Sequence, residues 1–426
     1  MVPSSGRSGP GRAAKVAPAI TTLALAALYL AAQAGTGPAR AADTVPPAAP
    51  LAAPAPALPA PAAPALATRE QLGAALFFDA NLSRNRTQSC ATCHAPERAF
   101  TDPRETPQAG GAVSLGDDGT SLGTRNAPTA AYARFTPPFG RSPKPGIHQG
   151  GMFLDGRAAS LAAQAGGPPL NPVEMGMPDA ASVVARLKEN PAYVAAFEAL
   201  YGKGVLDRPA RGFRAMTQAI AAYEASDVFA PFDSKYDRSL RGEEKLTDQE
   251  ELGRVLFFSR QFTNCSECHQ LNTQGGTGRE TFTSYQFHNI GVPKNATARA
   301  AAGLKADSHD PGLADNPAFR GRAKAAQEGR FKTPTLRNVA VTGPYMHNGV
   351  FKDLRTVILF YNTYNTTNPE RHINPETGRT FEPPEVPGTL SRTELEIGPA
   401  LDDRRIDALV AFLKTLTDRR YEPLLK

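Results

Sequence analysis

Two five-residue strings constrain this chain more than any other feature. Cys90, Ala91, Thr92, Cys93 and His94 spell C-x-x-C-H, and Cys265, Ser266, Glu267, Cys268 and His269 spell it again. Two thiols three positions apart can each form a thioether to one vinyl of the same porphyrin, while the adjacent imidazole reaches the iron. The spacing therefore predicts two covalently bound haem c groups, with His94 and His269 as iron ligands. Zinc half-sites, a thioredoxin-like redox pair and a structural disulfide are the rival readings of C-x-x-C. A zinc site has no need of His in the same place twice, and a redox pair needs its own α/β pattern nearby. The two motifs contain all four cysteines of the chain.

The 426 residues suffice for two domains with full cores. Arg7, Arg12 and Lys15 precede an apolar run from Val16 to about Ala34, and Ala39, Arg40 and Ala41 form an A-x-A cleavage site. Residues 1–41 thus read as a signal peptide and the mature protein as exported and periplasmic. The apolar run is also just long enough to span a bilayer, so an uncleaved membrane anchor is the alternative. Residues 42–67 are a spacer dominated by Pro and Ala, with eight prolines between Thr44 and Ala67. Such a segment suits tethering. The formal charge of +6 misleads, because the first 41 residues hold four basic and no acidic side chains. No Lys/Arg-rich block points to nucleic acid.

A duplication organises the rest. Thr68 and Gln71 form a capping-box pattern ahead of Leu72, Gly73, Leu76, Phe77 and Phe78; Thr247 and Glu250 repeat it ahead of Leu252, Gly253, Leu256, Phe257 and Phe258. Each copy precedes a C-x-x-C-H. Each also closes with an amphipathic stripe, Phe213, Met216, Ile220 and Tyr223 in the first, and Ile406, Leu409, Val410, Leu413 and Leu416 in the second. Strand signals are weak. The expected fold is mainly α: two cytochrome c-like haem domains in tandem, 68–240 and 241–426, with long loops. Three of these, Thr101–Gly151, Gly166–Pro178 and Asn362–Pro399, are too long to be mere connectors and are where function is expected.

Further strings resemble the bacterial di-haem cytochrome c peroxidases. These are Phe153 to Arg157, Gln164, Pro168, Asn171 to Met175, Thr333 to Asn338, and Thr342 to His347. The resemblance covers about residues 70 to 426. It implies that His94 serves the peroxide-reacting haem and His269 the second haem, that Glu174 is the distal acid/base group, and that Gln164 and Pro168 shape its pocket. It also implies a calcium ion held by Asn126, Thr342 and Pro344. Heterolysis of peroxide independently requires a group that takes a proton from one oxygen and gives it to the other. A carboxylate among apolar residues and prolines suits that task.

Two departures bear on the subtype. Conventional members place a Met ligand fourteen residues after the His of the Pro-Tyr-x-His string; here that position is Tyr361, and no Met follows Met346. Tyr361 matches the MauG-like branch. A phenolate is a hard anionic donor that favours oxidised iron, whereas Met raises the potential. The other reading of Tyr361 is core, since Leu354, Val357, Ile358 and Tyr361 form one helical stripe. The segment from Ala95 to Ile147 contains no His, so the first haem is expected to be open to peroxide. Against a simple transfer of the MauG mechanism, Leu154 stands where the family usually has a relaying Trp, and the chain has no Trp at all. The expected activity is an exported peroxidase-family oxidoreductase that reacts with hydrogen peroxide and oxidises a side chain of a protein partner. The alternatives are a conventional peroxidase fed by a small redox protein, and a non-catalytic electron-transfer cytochrome.

Overall fold

The computed structural model describes residues 66–271 and 278–425. The signal or anchor segment and most of the Pro/Ala-rich spacer lie outside the described residues. Among the described residues no helix is long and apolar enough to cross a membrane.

The architecture is mainly α, as expected. In chain order the helices are α1 Arg69–Phe77, α2 Cys90–Cys93, α3 Leu161–Ala165, α4 Ala180–Lys188, α5 Pro191–Tyr201, α6 Pro209–Glu224 and α7 Lys235–Leu240. They continue with α8 Asp248–Phe258, α9 Cys265–Cys268, α10 Ala296–Ala301, α11 Gly321–Ala325, α12 Leu354–Asn362, α13 Arg392–Leu395 and α14 Asp403–Lys414. Strands among the described residues are limited to three antiparallel pairs of two residues each. These are β1 Gly140–Arg141 with β2 His148–Gln149, β3 Phe287–His288 with β4 Phe331–Lys332, and β5 Ile373–Asn374 with β6 Arg379–Thr380.

Both capping boxes form. The Thr68 hydroxyl accepts from the Gln71 N–H while the Gln71 side chain accepts from Thr68, and Thr247 with Glu250 does the same. Each box satisfies two backbone donors that the start of a helix leaves open. The duplicated glycine has a packing reason. A Cβ on Gly73 would overlap the Ala219 carbonyl of α6, and one on Gly253 would overlap the Ala408 carbonyl of α14. The helix after each capping box therefore crosses its closing helix backbone to backbone, with glycine as the contact point.

Two large apolar cores result. One gathers Leu72, Leu76, Phe77, Phe100, Met216, Ile220 and Phe229; the other gathers Leu256, Phe257, Phe282, Ile406, Leu409 and Phe412. Helix α7 is capped by Ser234, and Tyr236 on it already packs into the second core. The halves are tied by buried polar contacts. Tyr132 Oη donates to Asp418 Oδ1 at 2.5 Å, Tyr421 Oη to the Pro96 carbonyl at 2.7 Å, and Arg125 pairs with Asp310 at 2.7 Å.

Gly253→Ala must push α8 off α14 and is expected to destabilise by about 1–3 kcal/mol or more. Gly388→Ala, where a Cβ meets open space, is the control. Thermal unfolding followed by circular dichroism compares the two.

Candidate functional site

Each C-x-x-C segment is a single helical turn, which puts its two thiols on one side. In both turns the motif histidine closes the turn, with His94 N–H donating to Cys90 O and His269 N–H to Cys265 O, each at 2.9 Å. The imidazoles are held alike. His94 Nδ1 donates to the Phe100 carbonyl and His269 Nδ1 to the Phe282 carbonyl, both at 3.1 Å. With Nδ1 carrying the hydrogen, Nε2 keeps the lone pair that a metal needs. Burial lowers the proton affinity of both rings, that of His269 to about 4, so they are neutral at physiological pH. The two phenylalanines that aim these carbonyls are fully buried and left-handed, φ 58° and 53°. A bulky residue in that region is strained and persists only where packing dictates it.

A cavity of about 860 Å³ runs along both motifs and is lined by Cys90, Cys93, His94, Cys265, Cys268 and His269. The four thiols are free. Burial pushes them up, Cys93 and Cys268 to about 12, so they stay protonated. Among the described residues no three His, Cys, Asp or Glu side chains converge on a metal-sized point. Paired thiols, a neutral imidazole with Nε2 available and a large, mostly apolar cavity fit a macrocycle attached at each motif.

Glu174, Gln164 and Pro168 line the same cavity. Gln164 lies on α3, and Pro168 opens the turn Pro168–Leu170 that follows. The next turn carries Glu174, whose Oε1 accepts from Asn171 Nδ2 at 2.8 Å. Burial raises the Glu174 pKa, while Asn171 and the positive charge of Arg157 pull it back. Its charge is felt at Cys93, so the carboxyl belongs to the first motif's end of the cavity.

Tyr361 on α12 also lines the cavity, and burial together with the neighbouring Cys268 and Cys265 raises its pKa. The helical stripe that contains it is thus real, but its phenol faces the second motif and not only the core. Asn126, Thr342 and Pro344 line the cavity as well. Asn126 Nδ2 is directed at the Gly111 and Ala112 carbonyls.

Sequence reasoning missed several residues here. Arg125 bridges Asp155 and Asp310 at 2.7 Å each, joining segments 185 positions apart. Lys332, half-buried and lowered by desolvation to about 8, donates to the Gly151 carbonyl. His288 is buried on the cavity wall near His269. The signal for the aimed carbonyls was present: Phe100-Thr101 and Phe282-Thr283 follow the two motifs.

The family model for di-haem cytochrome c peroxidase matches residues 67–245. The methylamine utilization protein MauG of Paracoccus denitrificans is 61% identical over 83% of this chain and 90% of that protein. The chain belongs to the di-haem cytochrome c peroxidase family. The cytochrome c peroxidase Ccp of Escherichia coli is 34% identical over 67% of this chain and 51% of its own length. The crystal structure of the di-haem peroxidase BthA from Burkholderia thailandensis superposes with a TM-score of 0.72 at 36% identity, covering 84% of this chain and 88% of that one. A MauG-like protein associated with microbial copper homeostasis gives 0.59 at 30% identity, covering 88% and 96%. This di-haem peroxidase is therefore an oxidoreductase, and membership implies two haem c groups, which the paired thiols and oriented imidazoles fit.

Asn171→Ala removes a hydrogen bond that favours the charged carboxylate, so the Glu174 pKa is expected to rise further. The midpoint of the pH profile of peroxide reaction, followed by stopped-flow absorbance, should move to higher pH with haem content unchanged.

Proposed function

We propose that this enzyme reacts with hydrogen peroxide at the His94 haem and withdraws electrons from a side chain of a protein partner, in the manner of MauG. The observation that carries this reading is Tyr361 on the cavity wall beside Cys265 and Cys268. The conventional Met is absent from the chain after Met346, and the 61% identical relative bears the name MauG.

Cys90 and Cys93 would anchor one haem and Cys265 and Cys268 the other, with His94 and His269 as iron ligands through Nε2. Residues 68–240 and 241–426 then act as two tandem cytochrome-like domains. When bound, the first haem supplies the redox-active iron at which peroxide is cleaved. Glu174 takes the proton from the near peroxide oxygen and returns it to the far one, which leaves as water. Its raised proton affinity suits both halves of that transfer, and Asn171 holds it in place. Gln164 and Pro168 bound the space in which peroxide sits. Tyr361 would serve the His269 haem as a ligand, supplying an anionic oxygen donor that stabilises the oxidised state. Asn126 would offer its Oδ1, and Thr342 and Pro344 their carbonyls, to a calcium ion, a hard oxygen set. The basic, apolar opening of the sequence and its A-x-A site support export to the periplasm.

Glu174→Gln is expected to lower the peroxide rate at least 10²-fold with both haems attached, since a positioned acid/base group contributes about that much. Wild-type rates would remove Glu174 from the mechanism. Tyr361→Phe should alter the optical and EPR spectrum of the second haem alone, and an unchanged spectrum returns Tyr361 to a packing role. The reading as a whole is tested by mixing as-isolated diferric protein with peroxide without reductant. Rapid loss of the high-spin ferric signal supports it, and a requirement for prior one-electron reduction favours a conventional peroxidase.

A further inference from the structure

A continuous set of contacts joins the two motif histidines, and its midpoint is Tyr132. From the first motif, His94 Nδ1 bonds the carbonyl of Phe100, whose ring stacks on Phe229 at 4.1 Å. The Phe229 carbonyl accepts from the Tyr132 N–H at 2.9 Å. From the second motif, His269 Nδ1 bonds the carbonyl of Phe282, and the Arg337 guanidinium lies 5.3 Å from the Phe282 ring and 5.4 Å from the Tyr132 ring. Tyr132 is 1% exposed and lines the cavity.

The Tyr132 hydroxyl has what a redox-active phenol requires. It donates to Asp418 Oδ1 at 2.5 Å, and Asp418 Oδ2 is fixed by Asn338 Nδ2 at 2.8 Å. Oxidising a phenol without moving its proton is costly, because a buried phenol cation finds no compensation in a medium of low dielectric. A carboxylate in place to take the proton removes that cost. Among the described residues, Tyr132, Tyr285, Tyr345 and Tyr361 line the cavity, and Tyr132 is the one whose hydroxyl donates to a carboxylate. Burial raises Asp418 to about 6, a stronger base than an ordinary carboxylate yet ionised near neutral pH; Arg337 and Asp233 are the charges that face it. Leucine at 154 cannot be oxidised, and the chain holds no Trp.

We infer that Tyr132 with Asp418 is a proton-coupled electron relay between the two haem sites, in place of a tryptophan. When peroxide has oxidised the His94 site, Tyr132 loses one electron to it, the phenolic O–H bond breaks and an Asp418 O–H bond forms. An electron from the His269 site then refills the phenoxyl radical and the proton returns. The net change is one electron moved between sites with no proton lost. This rests on the reading of His94 and His269 as iron ligands.

The test uses the full-length holoprotein, with Tyr132→Phe and Asp418→Asn variants shown to carry two haems. Peroxide is added, and rapid-freeze EPR and stopped-flow absorbance follow the radical and the oxidation of the second haem. The wild type is expected to show a radical whose hyperfine pattern collapses with deuterated tyrosine, and a solvent deuterium isotope effect on second-haem oxidation. Tyr132→Phe should lose the radical and the isotope effect and slow that oxidation about tenfold or more; Asp418→Asn, which keeps the phenol, should slow it comparably. A structural role for the ring alone would leave no isotope effect to lose. Wild-type rates in Tyr132→Phe, or a tyrosine radical that persists in it, overturn the relay. Failure of the ligand reading is separate: nitrogen hyperfine coupling from labelled histidine would then be missing at the irons before peroxide is added.

Discussion

A backbone carbonyl bonded to Nδ1 of each motif histidine is the interaction on which the rest of the site depends. The bond decides which nitrogen carries the hydrogen, and so which one faces the cavity. To supply it, Phe100 and Phe282 sit in left-handed backbone conformations that bulky residues seldom adopt. Strain of this kind costs on the order of 1–3 kcal/mol per residue. It is offset by burial, since each ring is fully enclosed, Phe100 against Phe229 and Phe282 near Phe257 and Phe412. Core packing and site geometry are thus one problem in each half, solved twice in the same way.

The second constraint is the seam between the halves. Arg125 reaches Asp310, the Lys332 N–H donates to the Leu154 carbonyl at 3.0 Å, and Arg337, fully buried, pairs with Asp237 at 2.6 Å among the rings of Tyr132, Phe232 and Phe282. Charges so enclosed contribute little net stability against apolar substitutes, but losing one partner strands the other at a cost of about 3–5 kcal/mol. The seam therefore resists sliding more than it adds to the free energy of folding. A fixed spacing between two redox sites is what such rigidity serves.

The helices that carry a repeating signal were legible in the sequence. Capping boxes at Thr68 and Thr247, the glycines at 73 and 253, and the closing stripes are local patterns, and local patterns survive in one dimension. The attachment motifs were legible for the same reason. The convergence of Glu174, Gln164 and Pro168 could be expected only through family resemblance, because nothing in the spacing of a proline-rich loop says which way its carboxylate turns. Tyr361 satisfied both a core stripe and a cavity wall, and only the rotation of α12 distinguishes them. Arg125 with Asp310 and Tyr132 with Asp418 were invisible. Their partners lie 185 and 286 positions apart, and each residue alone reads as an ordinary loop or surface side chain.

The Tyr421 clasp on the Pro96 carbonyl spans 325 positions and lies next to the first attachment motif. In a chain that emerges from its N-terminal side, the Pro96 carbonyl gains this partner only when residue 421 has arrived. The long reach of this contact means that the segment following the first motif is tied down only when the two ends of the described fold come together.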